Sequence, residues 1–272
     1  MTRIPLKHTL AALALAALSL HANANRAWLL PSATLVEGRD PWVTIDGAVS
    51  ENLFEFDNNA LKLDGIAITA PNGAALAVPA VAMARLRSSF DLKLDQPGTY
   101  KIALLTDSVM ASYKAGTETK RFRGSAEAFA REVPANAPEL QATYQQARVE
   151  TFVTNVKPTD AALKASGRGL EMVPLTHPNE LRAGEAARWR FTLDGKALPN
   201  FAFSLVPGGV RYRGVLGEIR LATDAKGEAS VTLPQAGMYW LNANFPQSRE
   251  KGPGEPGSRR YSYAATLEIL PP

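Results

Sequence analysis

The 272-residue chain contains no cysteine. Disulfides, thiolate metal sites, cysteine nucleophiles and a cysteine-linked lipid anchor are therefore excluded, and its domains must hold by packing alone. Histidine is nearly as scarce, with only His8, His21 and His177. There is no Gly-x-Ser-x-Gly sequence, so the nucleophile elbow of the α/β-hydrolases is missing. No apolar run reaches the roughly twenty residues that a membrane-spanning helix needs. Charge of one sign is also lacking. The 30 basic residues lose Arg3 and Lys7 if a leader is removed, leaving 28 against 26 acidic residues, a net charge of +2. That balance, in an exported chain, argues against a nucleic-acid partner.

The chain does have a leader pattern. Arg3 and Lys7 precede the apolar run Thr9 to Leu20, and Ala22-Asn23-Ala24 forms an A-x-A cleavage signal. Residues 1–24 read as a signal peptide, with a mature start at Asn25. The expected location is periplasmic, and the mature chain is not expected to be membrane-embedded. Cleavage removes His8 and His21, so His177 is the one imidazole left.

The remainder reads mainly as strands. Trp42-Val43-Thr44-Ile45-Asp46, Ile66-Ala67-Ile68-Thr69, Phe90 to Leu94 and Tyr100 to Leu104 alternate with period two. Arg188 to Leu193, Ala202 to Val206, Glu218 to Ala222, Ala229 to Leu233, Tyr239 to Phe245 and Arg260 to Leu270 repeat that grammar. A weak duplication accompanies it. Gln96-Pro97-Gly98-Thr99-Tyr100 matches Gln235-Ala236-Gly237-Met238-Tyr239, each between two strands. Gly38 before Trp42 matches Gly184 before Trp189. The glycine supplies a positive φ at a turn, and a buried tyrosine tied to backbone is a sandwich device.

Between the halves the composition changes. Ser125–Glu132, Pro138–Val149 and Thr159–Ala165 read as helices. The expected organisation is 1–24 signal peptide, 25–113 N-terminal β-sandwich, 114–172 partly helical connector and 173–272 C-terminal β-sandwich. Pro246 to Ser258 reads as a long exposed hairpin loop.

Three groups of side chains offer chemistry. His177 with Glu180 and the α-amino group of Asn25 would suit nickel, cobalt, copper or zinc; the alternative is a loop-capping imidazole. Glu51, Glu55, Asp57 and Asp64 form either an oxygen-rich cation site or a solvated hairpin tip. Arg211-Tyr212-Arg213 alternates as a strand would, so that both guanidinium groups share a face and hold a carboxylate ligand; the alternative is an internal ion pair with Glu218. A further basic group lies at Lys120, Arg121 and Arg123.

Four segments together resemble a known family: Arg26-Ala27-Trp28-Leu29-Leu30-Pro31-Ser32, Pro174 to Glu180, Pro207 to Arg213 with Gly217-Glu218, and Gly237-Met238-Tyr239-Trp240-Leu241. The family is one of uncharacterised bacterial periplasmic proteins, often labelled the periplasmic component of a cobalt or nickel uptake system. The resemblance implies two Ig-like or transthyretin-like (carboxypeptidase-regulatory-like) β-sandwich domains and a divalent nickel or cobalt ion as ligand. It also implies a membrane transporter or outer-membrane receptor component as partner. Members carry a histidine just before the Arg-Ala-Trp segment, where this chain has Asn25. The expected function is a non-catalytic accessory of transition-metal uptake, with metal ligands Asn25, His177 and Glu180 and further ligand contacts at Arg211, Arg213 and Glu218. The alternative is a protein- or glycan-binding module of the cell envelope without metal; a hydrolase ranks behind both.

Overall fold

A computed structural model describes residues 25–246 and 258–272. The expected signal peptide lies outside the described residues, as does most of the expected loop between Pro246 and Ser258. In the first half the strands are β1 (Arg26–Pro31), β2 (Leu35–Val36), β3 (Trp42–Ser50), β4 (Asn59–Ala60), β5 (Ile66–Thr69), β6 (Ala75–Leu76), β7 (Ala82–Met83), β8 (Ser88–Lys93), β9 (Gly98–Ala115) and β10 (Glu118–Gly124). Helix α1 (Ala126–Glu132) and β11 (Gln141–Asn155) follow. After a 3-10 turn (Ala161–Leu163) come β12 (Leu170–Pro174), β13 (Ala186–Leu193), β14 (Lys196–Ala197), β15 (Ala202–Pro207) and the one-turn helix α2 (Val210–Arg213). The chain closes with β16 (Ile219–Ala222), β17 (Glu228–Thr232), β18 (Gly237–Phe245) and β19 (Ser258–Ile269). The mainly β, sandwich-like architecture agrees with the expected fold class.

These strands form three sheets. Two small ones run β1-β3-β8-β7 and β12-β13-β14, with β17 paired to β13. The third is long and shared by both halves, in the order β16-β15-β18-β19-β11-β9-β5-β6. At its middle, β11 and β19 pair in parallel, Val149 beside Ala264 and Thr151 beside Thr266. Each of these strands closes its own half. Exchanging two parallel neighbours without reversing them requires a two-fold rotation about an axis along the strands. That rotation turns one sheet face into the other, so the small sheets must cover opposite faces.

The cores obey this. One contains Tyr100, Ile102, Leu104, Val149 and Val153 under the first small sheet. The other contains Phe152, Tyr263, Ala265, Leu267, Tyr239 and Leu241 under the second. Each holds 21 buried residues, which is how a chain without disulfides sustains two sandwiches; fully burying one large apolar side chain stabilises by about 1.5–3 kcal/mol. Strand β11 is central and covered on both faces, so residues 148–155 are all buried and alternation disappears.

The duplication is visible in detail. Each Gln-x-Gly-x-Tyr segment marks the step from a small sheet (β8 or β17) into the shared one (β9 or β18). Gly98 and Gly237 adopt φ of 130° and 138°. Tyr100 Oη donates to the Gln96 carbonyl at 2.9 Å and Tyr239 Oη to the Gln235 carbonyl at 3.0 Å. The tryptophan match does not persist. Trp189 is fully buried but Trp42 is half exposed, and Val43 points inward instead. Trp42 follows its glycine by four residues and Trp189 by five. A one-residue slip in a strand exchanges its faces.

Two helical expectations need correction. Pro138–Val149 is not a helix; from Gln141 it is strand β11, paired with β9 on one side and β19 on the other. Pairing on both edges overrides a modest helical propensity. Thr159–Ala165 forms only the 3-10 turn. The expectation at Ser125–Glu132 holds: Ser125 Oγ accepts from the Ala128 amide at 3.2 Å and caps α1.

Candidate functional site

An open trough of about 530 Å³ falls within the size range of ligand sites. It lies on the face of the shared sheet that bears the second core, where that sheet runs past it. Its floor is a grid dictated by register. Asp107, Gln146 and Tyr261 form one cross-strand row, and Val109, Tyr144 and Arg259 the next. The first turn of α1 at Ala126 and Glu127 forms one wall, and Arg168, Gly169 and Asp194 form the other.

The floor is pre-organised. Gln146 Nε2 donates to Asp107 Oδ1 at 2.8 Å, and Arg168 Nη2 meets Asp107 Oδ2 at 3.0 Å. The Arg259 guanidinium lies 5.6 Å from the centre of the Tyr144 ring, in cation–π range. Gln146 Oε1 is buried against Gly169 and has no partner among the described residues. Gly169 packs so closely on this amide that a Cβ there would fall 1.7 Å from Oε1, and its φ is +69°. Only glycine fits.

Behind the trough, one row deeper along β11, lies a buried charge cluster. Arg148 Nη1 meets Glu150 Oε1 at 3.2 Å and Glu171 Oε1 at 3.7 Å. Tyr263 Oη donates to Glu150 Oε2 at 2.7 Å. Glu171 accepts from Ser166 N, Ser166 Oγ and Gly167 N at 2.7–2.9 Å. Arg148 Nη2 donates to the Arg168 carbonyl at 2.9 Å, which fixes the trough wall. Burial, with the Glu150 carboxylate beside it, pushes the Tyr263 hydroxyl well above its ordinary value, so the phenol stays a donor.

The residues expected to bind metal are not brought together. Asn25 Oδ1 accepts from Asn58 Nδ2 at 2.8 Å, at the end of β1 beside Ser50. His177 lies past the other end of β1, near Thr99 and Thr154. Strand β1 alone separates these ends by roughly 15–20 Å, at ~3.3 Å per residue. Glu180 is exposed, and its amide bonds to the His177 carbonyl.

His177 itself is engaged at both ring nitrogens. The Asn179 amide donates to Nδ1 at 3.2 Å, so the proton resides on Nε2, which donates to Thr99 Oγ1 at 2.9 Å. Thr99 also bonds Thr154 Oγ1 and the Thr159 amide, and Thr154 Oγ1 donates to Asn179 Oδ1. This closed ring pins the loops around residues 159 and 177 onto the corner of the first sandwich. Burial lowers the imidazole pKa below its ordinary value, against the Thr159 carbonyl, Glu180 and Asp160, which favour the charged form. Among the described residues no group of three or more His, Asp and Glu side chains could hold a metal ion.

The arginine expectation also needs correction. Val210–Arg213 is a helical turn, bounded by Gly209 and Gly214 at φ of 73° and 69°. Arg211 and Arg213 therefore do not share a strand face. Arg213 clamps the carbonyls of Pro207, Gly208 and Leu216, Arg211 lies 3.9 Å from Glu55, and Glu218 pairs with Arg220 at 2.8 Å. In the acidic group, Asp57 accepts from the amides of Glu51 and Asn52, which is turn chemistry.

The trough residues and the buried cluster escaped the sequence reading. Their signal was weak: the Gln145-Gln146 pair sat inside a presumed helix, and only register places it beside Asp107 and Tyr261.

A mainly β chain with two cores packed on opposite faces of a shared sheet belongs to the class of β-sandwich proteins. The family model described as "Domain of unknown function (DUF4198)" matches residues 22–247. The chain belongs to this family, whose match runs from the start of the first sandwich through β18 and stops short of β19. No curated protein matches the chain. Among solved structures it is similar to the "D0-D1 domain of Intimin", at 13% identity over 89% of this chain and 97% of that one, TM-score 0.23. It is also similar to an ICAM-5 D1-D4 ectodomain fragment, at 11% identity over 90% and 51%, TM-score 0.21. Likenesses at such scores carry no functional argument.

Proposed function

We propose that this chain is an exported, non-catalytic binding protein of the cell envelope, whose trough takes a polyhydroxylated ligand such as a glycan. The carrying observation is the floor grid. Planar amide, carboxylate and guanidinium groups at Gln146, Asp107 and Arg168 sit beside the rings of Tyr144 and Tyr261. Hydroxyl groups satisfy such planar partners, while sugar faces lie on aromatic rings. The leader pattern of residues 1–24 supports export to the periplasm. The non-catalytic reading is supported by His177, whose nitrogens are engaged, and by Ser166 Oγ, which is tied to Glu171. The test is calorimetry of the mature protein against a panel of neutral and acidic oligosaccharides. Binding that Gln146→Ala and Tyr261→Ala each weaken at least tenfold is expected; heat unchanged in both variants refutes the site.

The narrower reading, an accessory of nickel or cobalt uptake, draws on the family resemblance and on one observation: the Glu180 and Asp160 carboxylates act on the His177 imidazole. Metal at Nδ1 would displace the Asn179 amide. Titration with Ni²⁺, Co²⁺, Cu²⁺ and Zn²⁺, with His177→Ala as control, decides it. Heat lost in the variant supports metal binding there; no heat, or unchanged heat, removes it.

A further inference from the structure

The hairpin β9–β10 carries the shared sheet past the first sandwich and leaves β10 at its margin. Strand β10 pairs with Val109 to Ala115 of β9 on one side. Among the described residues no strand pairs with its other side. Residues Gly116 and Thr117 form the turn, with Gly116 at φ 65°, the pattern of a two-residue type II′ hairpin. Such a turn closes on a hydrogen-bonded pair, here Ala115 and Glu118. In an antiparallel ladder the bonded pairs alternate. Thr119, Arg121 and Arg123 therefore direct their own N–H and C=O groups away from β9, toward the open edge.

The same residues carry the charge. Arg121 and Arg123 share one face of the strand by its period of two, and both are exposed. Neither they nor Lys120 enters an ion pair among the described residues. Among the described residues eight other arginines have carboxylates: Arg87, Arg131, Arg148, Arg168, Arg188, Arg190, Arg211 and Arg220. Unspent backbone groups and unspent guanidinium groups thus coincide at alternate residues of a single edge.

We infer that β10 is a docking edge for an extended acidic segment of a partner protein, which adds to the sheet as a strand. Its carboxylates, two residues apart, match Arg121 and Arg123. Main-chain bonds supply the affinity and the paired charges select the sequence and register. The trough takes no part, since none of its lining residues belongs to β10.

The probe is an acetylated, amidated Thr-Glu tetra-repeat, titrated into the mature protein by fluorescence anisotropy. Three controls accompany it: the Thr-Lys repeat, the Thr-Glu repeat N-methylated on the residues facing β10, and anionic phospholipid vesicles. Binding of the first peptide alone, falling at least tenfold in Arg121→Glu/Arg123→Glu, is the expected result. Exposed charges can be reversed here without loss of fold, which melting curves check; Arg121→Gln/Arg123→Gln serves if the reversal does not fold, with an intermediate loss expected. Equal binding of the N-methylated peptide would show charge attraction without strand addition and would overturn the inference. So would binding of vesicles but not peptide, self-association through β10 in sedimentation, or no binding at all. In that last case the basic residues merely protect an edge from aggregation.

Discussion

Removing the hydroxyl from each corner tyrosine probes the duplication quantitatively, because the two corners differ in one bond. At the first, Tyr100 Oη donates to the Gln96 carbonyl and accepts from the Gln96 amide at 2.8 Å. At the second, Tyr239 Oη makes only the bond to the Gln235 carbonyl. Surroundings sharpen the difference. Both rings are almost wholly buried, but Gln96 is half-buried and Gln235 exposed. In Tyr100→Phe the Gln96 amide loses its partner where water has limited access, while the carbonyl keeps Asn155 Nδ2 at 3.2 Å. A net hydrogen bond is worth about 0.5–1.5 kcal/mol, and a stranded buried donor adds about 1–3 kcal/mol. Tyr100→Phe is expected to cost about 1.5–3 kcal/mol. Tyr239→Phe is expected to cost about 0.5–1 kcal/mol, because water replaces the bond at Gln235. Urea unfolding of the mature protein reads both, with unchanged m-values showing that the transition itself is the same. Equal costs, or a larger cost at Tyr239, would refute the reasoning.

Three further outcomes follow from the same structure. His177 is neutral when folded, its pKa lowered by burial, so below the ordinary histidine value the unfolded chain binds a proton that the folded one does not. Stability is complete above that value, declines as pH falls toward the lowered one and then levels; His177→Gln should flatten that part of a stability–pH curve. Arg148→Met leaves Glu150 and Glu171 without their shared cation and should cost about 3–5 kcal/mol in denaturant unfolding. Gly169→Ala meets both a left-handed backbone, worth about 1–2 kcal/mol, and the Gln146 amide; glycan titration should show the trough weakened well beyond what that small stability loss explains.

Strands were legible wherever one face meets a core and the other meets water. Val43 and Ile45, or Tyr100, Ile102 and Leu104, announce themselves by period two. Legibility failed at β11, where two sheets cover both faces and the pattern that distinguishes strand from helix is erased. It failed also at Arg211-Tyr212-Arg213, where flanking glycines with positive φ wind a turn from residues that alternate like a strand. The metal set failed for a different reason. Asn25 and His177 were joined because nitrogen ligands were scarce, and scarcity says nothing about distance.

The residues alone decided the leader pattern, the absence of thiol chemistry, the β class and the paired tyrosine corners, since each depends on composition or on neighbours a few positions apart. Only the tertiary structure decided that the halves share one sheet, that Arg148 lies buried between two glutamates, and that Asp107, Gln146 and Tyr261 line up across three strands. Those facts depend on register between segments up to 154 residues apart, and register is set by how the whole sheet satisfies its backbone and covers its two faces at once.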